Sequence, residues 1–298
     1  MHTLGYLPFM KISPLYQSTK VHEDNHEWSP SSFESFIAEL KNIKKHCRDS
    51  DHLALFRGHR AKKWLLDSTF VRYIKENILD VNPVERIKEE YRFSIEFHRL
   101  MGGLFLYKFG TRTVPHNDLF DLADKNGIDP WFEWMKRIQQ YPKEDLGTLR
   151  GTFLIDWTQN EEVAIFFANE SRDFEIEGSV WIADITAMGS VLHQDITVEE
   201  ILEKFQNAVH GDIPLGLPLI FYPREQIKCE RANNQDAVYI AQMDLRRDLA
   251  EIWRKKEMEL NDGEIIFIKL NLPNETIQQC DEWLLDKKIT EKFIYPDK

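Results

Sequence analysis

Cysteine, glycine-rich loops and long apolar runs are all scarce in this sequence, and each shortage removes a class of protein. Three cysteines in 298 residues (Cys47, Cys229 and Cys280) are widely spaced and odd in number. That excludes a disulfide framework and a zinc site built on paired cysteines, and predicts idle thiols in a reducing cytoplasm. No run approaches the roughly 20 apolar residues of a membrane span. Met1 to Met10 lacks the basic start and apolar core of a secretion signal. Neither GxGxxG nor a P-loop is present, so the common phosphate cradles are missing. HExxH and GxSxG are absent too, which removes the zincin and nucleophile-elbow readings. Among the ten histidines only His22 and His26 stand at helical spacing, in a stretch without helical pattern, so no metal site is predicted.

What is present describes a globular chain: 42% hydrophobic and 30% charged, long enough to bury a core unaided. The net charge of -12 argues against polyanion binding through the overall field, while leaving local basic patches open.

Residues 1–30 lack periodicity and read as an irregular lead-in. A helix follows from Ser31 or Ser32, with Ser31 and Glu34 fitting a capping box and Phe33, Phe36, Ile37, Leu40 and Ile43 forming one apolar stripe. His52 to Arg57 reads as a short buried strand ending in arginine. Asn82-Pro83 and Asp129-Pro130 open further helices, with a shorter one over Leu119 to Ala123. Thr152 to Trp157 reads as a strand, Thr158 with Glu161 as a second capping box, and Glu162 to Ala168 as a helix. Further strands are expected over Gly178 to Ile185, Leu217 to Tyr222 (at an edge or entering the sheet, given its proline), Asp236 to Gln242 and Glu264 to Leu272. Helices are expected over Thr197 to Val209, Arg246 to Leu260, and after Asn274. The interleaving lacks regular βαβ alternation, so the expected class is α+β, one domain over 31–298 with a helical insertion over about 75–145.

Three segments stand out. In Leu55-Phe56-Arg57-Gly58-His59, an arginine leaves an apolar strand and needs an anionic or carbonyl partner. Its planar fork suits phosphate or carboxylate, and Gly58 would let a ligand approach the backbone. An internal ion pair from Arg57 to Asp156 accounts for the same residues. The second segment is Leu154-Ile155-Asp156-Trp157-Thr158 leading into Val163-Ala164-Ile165-Phe166-Phe167-Ala168. The third is Arg231 through Gln235, polar residues at the mouth of the strand carrying Ala237-Val238-Tyr239.

Taken in order, these segments resemble the FRG-domain family. Trp64-Leu65-Leu66, Thr69-Phe70-Val71-Arg72 and the closing Tyr295-Pro296-Asp297 extend the resemblance over residues 50 to 297. One departure is the family's Gln-His pair, whose place is taken by Leu146-Gly147 or by Gln139-Gln140-Tyr141. The same segments resemble, more distantly, the mono-ADP-ribosyltransferases. That resemblance implies a mixed or antiparallel sheet core with surrounding helices, and NAD as substrate. It implies Arg57, Asp156 and Gln235 as catalytic residues, and Arg57, Gly58, His59, Trp157, Thr158 and Arg231 as NAD-binding. Gln235 stands where that family has a glutamate, which moves the charge role to Asp156 or Glu161. The implied activity is ADP-ribosyl transfer to a protein or nucleic acid, by a toxin or anti-phage defence effector with an antitoxin or defence partner. A non-catalytic module binding a nucleotide or phosphorylated ligand through Arg57 and Arg231 is the alternative.

Overall fold

A computed structural model of the chain describes residues 26–79, 103, 130–145, 149–188, 191–192, 219–221, 230–242, 244, 247–259 and 265–297. Its class is α+β. Eight strands form one mixed sheet: β1 (Glu27–Trp28), β2 (Ala54–His59), β3 (Leu154–Thr158), β4 (Gly178–Asp184), β5 (Val191–Leu192), β6 (Leu219–Phe221), β7 (Ala237–Ala241) and β8 (Phe267–Leu272). Their spatial order is β1-β8-β4-β2-β3-β7-β6-β5. The outer pairs β1–β8 and β5–β6 are parallel, and every other pair is antiparallel.

Helices cover both faces, because alternate strand residues point to opposite sides and both sets are apolar. On one face, α1 (Phe33–Asp49), α4 (Glu161–Asn169) and α8 (Ile277–Asp286) enclose Phe56, Val180, Ile182, Ile268 and Leu270. On the other, α7 (Leu249–Glu259) brings Leu249 and Trp253 against Leu55, Ile155, Trp157 and Trp181. The shorter helices are α2 (Thr69–Ile74), α3 (Pro130–Gln140), α5 (Ile185–Met188), α6 (Glu230–Asn234) and α9 (Glu291–Ile294).

Helix α4 lies unusually close to the sheet, and small residues are the reason. A Cβ on Gly58 would stand 2.6 Å from the Ala168 nitrogen and closer still to the Ala164 carbonyl oxygen. Gly58 on β2 therefore meets Ala164 and Ala168 backbone to backbone. The close approach that requires glycine here is made by a helix, where the sequence suggested a ligand.

Several boundaries differ from the sequence expectation. Strand β2 continues through Arg57 to His59, because its pairing with β4 runs from Ala54↔Asp184 to His59↔Ser179. The arginine sits within the strand. Glu27–Trp28, inside the expected lead-in, pairs with Lys269–Leu270 and forms a sheet edge. Helix α1 is capped by Ser32 with Ser35. Helix α4 is capped by Asn160, whose side chain accepts from the Glu162 and Val163 amides. The last long helix begins at Ile277, after a 3-10 turn over Asn274–Thr276. Strand β6 lies between β5 and β7, inside the sheet. The helices expected from Asn82-Pro83, over Leu119 to Ala123 and over Thr197 to Val209 lie outside the described residues, as does most of the expected insertion.

Cys47 and Cys280 are buried free thiols, each pushed up to about 12 chiefly by burial, so both are inert at neutral pH. Among the described residues no helix is long and apolar enough to cross a membrane.

Candidate functional site

The sheet is imperfect at its centre. Strand β2 pairs with β4 over six positions but with β3 at only one, Phe56↔Thr158. Beyond that pair the two strands part. The Arg57 side chain bridges the opening, its Nη1 donating to the backbone carbonyl of Asp156. A cavity of about 160 Å³ lies at this seam. Phe56, Arg57, Gly58, Gln139, Gln140, Asp156, Trp157, Thr158, Arg231 and Gln235 all line it, with Val163 and Phe167 of α4. Of the residues expected at the site, only His59 is absent from the wall.

His59 stands behind the arginine. It is buried, and its Nε2 accepts from Arg57 Nε at 3.0 Å, which places the neutral ring's proton on Nδ1. Trp64 and Trp181 flank the ring edge-on, with centroids at 5.9 and 6.4 Å. Burial, then the charges of Arg57 and Arg72, hold the imidazole well below the usual histidine range. It stays neutral at pH 7 and can serve as an acceptor. Arg57 itself is pushed down to about 10 by burial, against the field of Asp156, and remains a cation. Two neutral acceptors thus fix the guanidinium, which leaves its charge available. An arginine closed off by an ion pair with the Asp156 carboxylate is not what is seen.

Among the described residues, Asp156 is the only carboxylate on the cavity wall. Gln139 Nε2 donates to the Leu154 carbonyl at 2.8 Å and reaches Asp156 Oδ2 at 3.4 Å, while Oδ1 is buried without a hydrogen-bond partner. A buried acceptor left unsatisfied is uncommon and costly. Burial pushes this carboxyl up, opposed by Arg57, Gln139 and Arg231. Glu161, the other candidate for a charge role, is turned away to Lys44 at 2.5 Å.

Gln235 and Thr158 are tied down. Thr158 Oγ1 donates to the Gln235 carbonyl at 2.6 Å and accepts from the Asn160 amide at 2.9 Å. Gln235 Nε2 donates to the Ile294 carbonyl at 3.2 Å. Both residues join β3, β7 and the chain's last helix at the cavity. Trp157 faces the second core, its ring 5.5 Å from that of Trp253. Arg231 lies between two rings, with its guanidinium carbon 4.3 Å from the Tyr295 centroid and 5.7 Å from that of Tyr141. Its Nε is buried without a hydrogen-bond partner. Tyr295 is held by Phe166 and Phe167 and donates to Glu170 at 2.8 Å, so the chain's end orients the second cation.

Sequence reasoning placed no site role on Gln139, Gln140 or Tyr295. The available signals are Gln139-Gln140-Tyr141, as a shifted counterpart of a Gln-His pair, and Tyr295-Pro296-Asp297, as the closing element of the resemblance; the structure puts Gln139 and Gln140 on the cavity wall and Tyr141 and Tyr295 against Arg231. Leu146-Gly147 lies outside the described residues. No group of three or more metal-ligating side chains occurs among the described residues. No family model, curated protein or solved structure matches the chain.

Chemically, the cavity offers two guanidinium groups to an anion and one carboxylate to a hydroxyl or a developing cation. A cavity of about 150 Å³ holds a benzene-sized ring. This one therefore encloses a single ring or a phosphate-sized group, and a larger ligand would extend through its mouth.

Proposed function

We propose that the protein cleaves NAD at the nicotinamide–ribose bond and transfers the ADP-ribosyl group. The observation that carries this reading is the gathering of Arg57, Asp156, Arg231 and Gln235 around one cavity, with Asp156 Oδ1 buried and unpaired beside it. The resemblance to FRG-domain proteins and to mono-ADP-ribosyltransferases supports it, because their characteristic segments are the ones that meet there.

Arg57 and Arg231 hold the pyrophosphate, and the nicotinamide-bearing ribose reaches Asp156 while the rest of the dinucleotide extends through the cavity's mouth. Heterolysis leaves the bonding electron pair on the nicotinamide nitrogen and positive charge on the ribose C1′. Asp156, when ionised, stabilises that charge and holds a ribose hydroxyl through Oδ1. The acceptor nucleophile, or water, then bonds to C1′ and loses its proton to Asp156 or to solvent. Gln235 cannot supply charge, and its amide is committed to Ile294. Asp156 is thus the sole source of negative charge in this scheme.

The test is nicotinamide release followed by chromatography, in the wild type and in Asp156→Asn. Release by the wild type and its loss in the variant supports the reading. Equal release by both overturns the role of Asp156, and release by neither overturns the enzyme.

A second reading has its own observation. The locked Gln235 amide leaves no glutamate in the place where the transferases carry one. A module that binds NAD or a related nucleotide without cleaving it would then use Arg57 and Arg231 alone, and binding without release would identify it.

A further inference from the structure

A second concavity of about 590 Å³ lies beside Trp64, outside the NAD cavity. Its wall carries Lys63, Trp64, Arg72, Tyr73, Lys75 and Arg150, against the acids Asp67 and Glu76. Lys75 is neutralised by Asp67 at 2.5 Å, and Arg72 donates only to the Thr69 hydroxyl at 3.2 Å. Among the described residues of the wall, Glu76 is the one remaining acid set against Lys63, Arg72 and Arg150, on a chain whose net charge is -12. The Arg60 guanidinium carbon lies 5.0 Å from the Trp64 ring centroid. Trp64 supplies ring surface, and Leu65 is an exposed apolar side chain at 53%. A local excess of cations interleaved with aromatic rings is the composition of a surface that follows a phosphate backbone and stacks bases.

This groove is coupled to the cavity by contact. Trp64 packs against His59, and His59 holds Arg57. The charge of Arg72 also reaches Arg57 and Asp156.

We propose that this groove binds single-stranded nucleic acid, delivering it as the acceptor for the ADP-ribosyl group. Its use as an acceptor site rests on the NAD-cleaving reading, but its binding does not. Ring stacking needs unpaired bases, which distinguishes a single strand from a duplex. Three cations engaging phosphates give a log–log salt slope of about -2 for a single strand.

The test is fluorescence anisotropy with a labelled twelve-nucleotide oligothymidylate and its RNA counterpart, using the full chain without NAD. Lys63→Glu/Arg150→Glu changes two exposed residues outside the NAD cavity. We expect binding at low salt with a slope near -2. The double variant should bind about tenfold or more weakly, with a slope near -0.7 and an unchanged melting temperature. Absence of binding to either strand overturns the proposal, as do equal affinities of wild type and variant. Displacement by AMP at equimolar concentration would make this a mononucleotide site and overturn it too. So would a duplex bound as tightly as the single strand. Oligonucleotide binding without nicotinamide release would leave the groove standing and remove the NAD reading. The reverse result would remove the groove alone.

Discussion

Replacing Gly58 with alanine separates two explanations for the glycine in Phe56-Arg57-Gly58. A ligand-approach role leaves free space above the Cα, whereas packing against α4 fills it. The added Cβ would stand 2.6 Å from the Ala168 nitrogen and 3.0 Å from the Ala164 carbonyl carbon. Both are backbone atoms, so no rotamer change relieves the overlap, and helix or strand must move. Overpacking costs typically 1–3 kcal/mol, and rigid neighbours place this site at the upper end, about 3 kcal/mol. At about 2–4 °C per kcal/mol for larger domains, the melting temperature should fall by roughly 6–12 °C. Gly103→Ala is the control, because nothing among the described residues lies within 4 Å of its added Cβ. Differential scanning calorimetry of the three proteins gives the answer. If Gly58→Ala melts within about 2 °C of the wild type, the packing argument is wrong.

Asp156→Asn should abolish nicotinamide release without lowering stability at neutral pH. Burial raises the folded-state carboxyl above 3.8, so the unfolded chain ionises first and stability falls as pH rises from about 3.8 through the folded value. The asparagine variant should lose that part of the slope in a denaturation series against pH. The wild-type rate should rise with pH over the same interval, because only the carboxylate can stabilise the C1′ cation. His59 behaves in the opposite sense. Its folded-state pKa lies below 6.5, so stability should be lost as pH drops below about 6.5, and His59→Gln should flatten that limb. His59→Ala should weaken NAD binding about tenfold or more, because an unpaired guanidinium N–H costs about 1–3 kcal/mol and frees the side chain to move. Tyr295→Phe should keep NAD affinity, while Tyr295→Ala should lower it several-fold by removing the ring under Arg231, a contact of about 0.5–2 kcal/mol. Calorimetric titration of both variants checks this.

The parts of the fold legible in the sequence were those with strong local pattern. Strands β2, β3, β4 and β7 and helices α1 and α4 carry long apolar runs or stripes, and they lie within a few residues of their expected bounds. Caps were harder to assign. Ser31 and Thr158 have the right chemistry for an N-cap, but Ser32 and Asn160 have the right geometry, and residue type alone does not separate neighbours. The two-residue strand at Glu27–Trp28 has no periodicity to detect and exists because β8 offers it an edge. In the site, the gathering of Arg57, Asp156 and Gln235 was implied by the family resemblance that the ordered segments carry. The stacking of Arg231 on Tyr295 joins residues far apart in sequence, and nothing local signals it. The partnership of His59 with Arg57 was within reach, since residues two apart on a strand share a face.

Whether Arg57 holds the anionic part of NAD decides most directly between NAD cleavage and any other role for this cavity. Isothermal titration of NAD into the wild type and Arg57→Ala measures this. The prediction is saturable binding by the wild type, weakened at least about tenfold in the variant, as expected for a lost hydrogen bond to a charged group worth about 1.5–3 kcal/mol. Equal affinity in the two proteins, or no binding by the wild type, would contradict it.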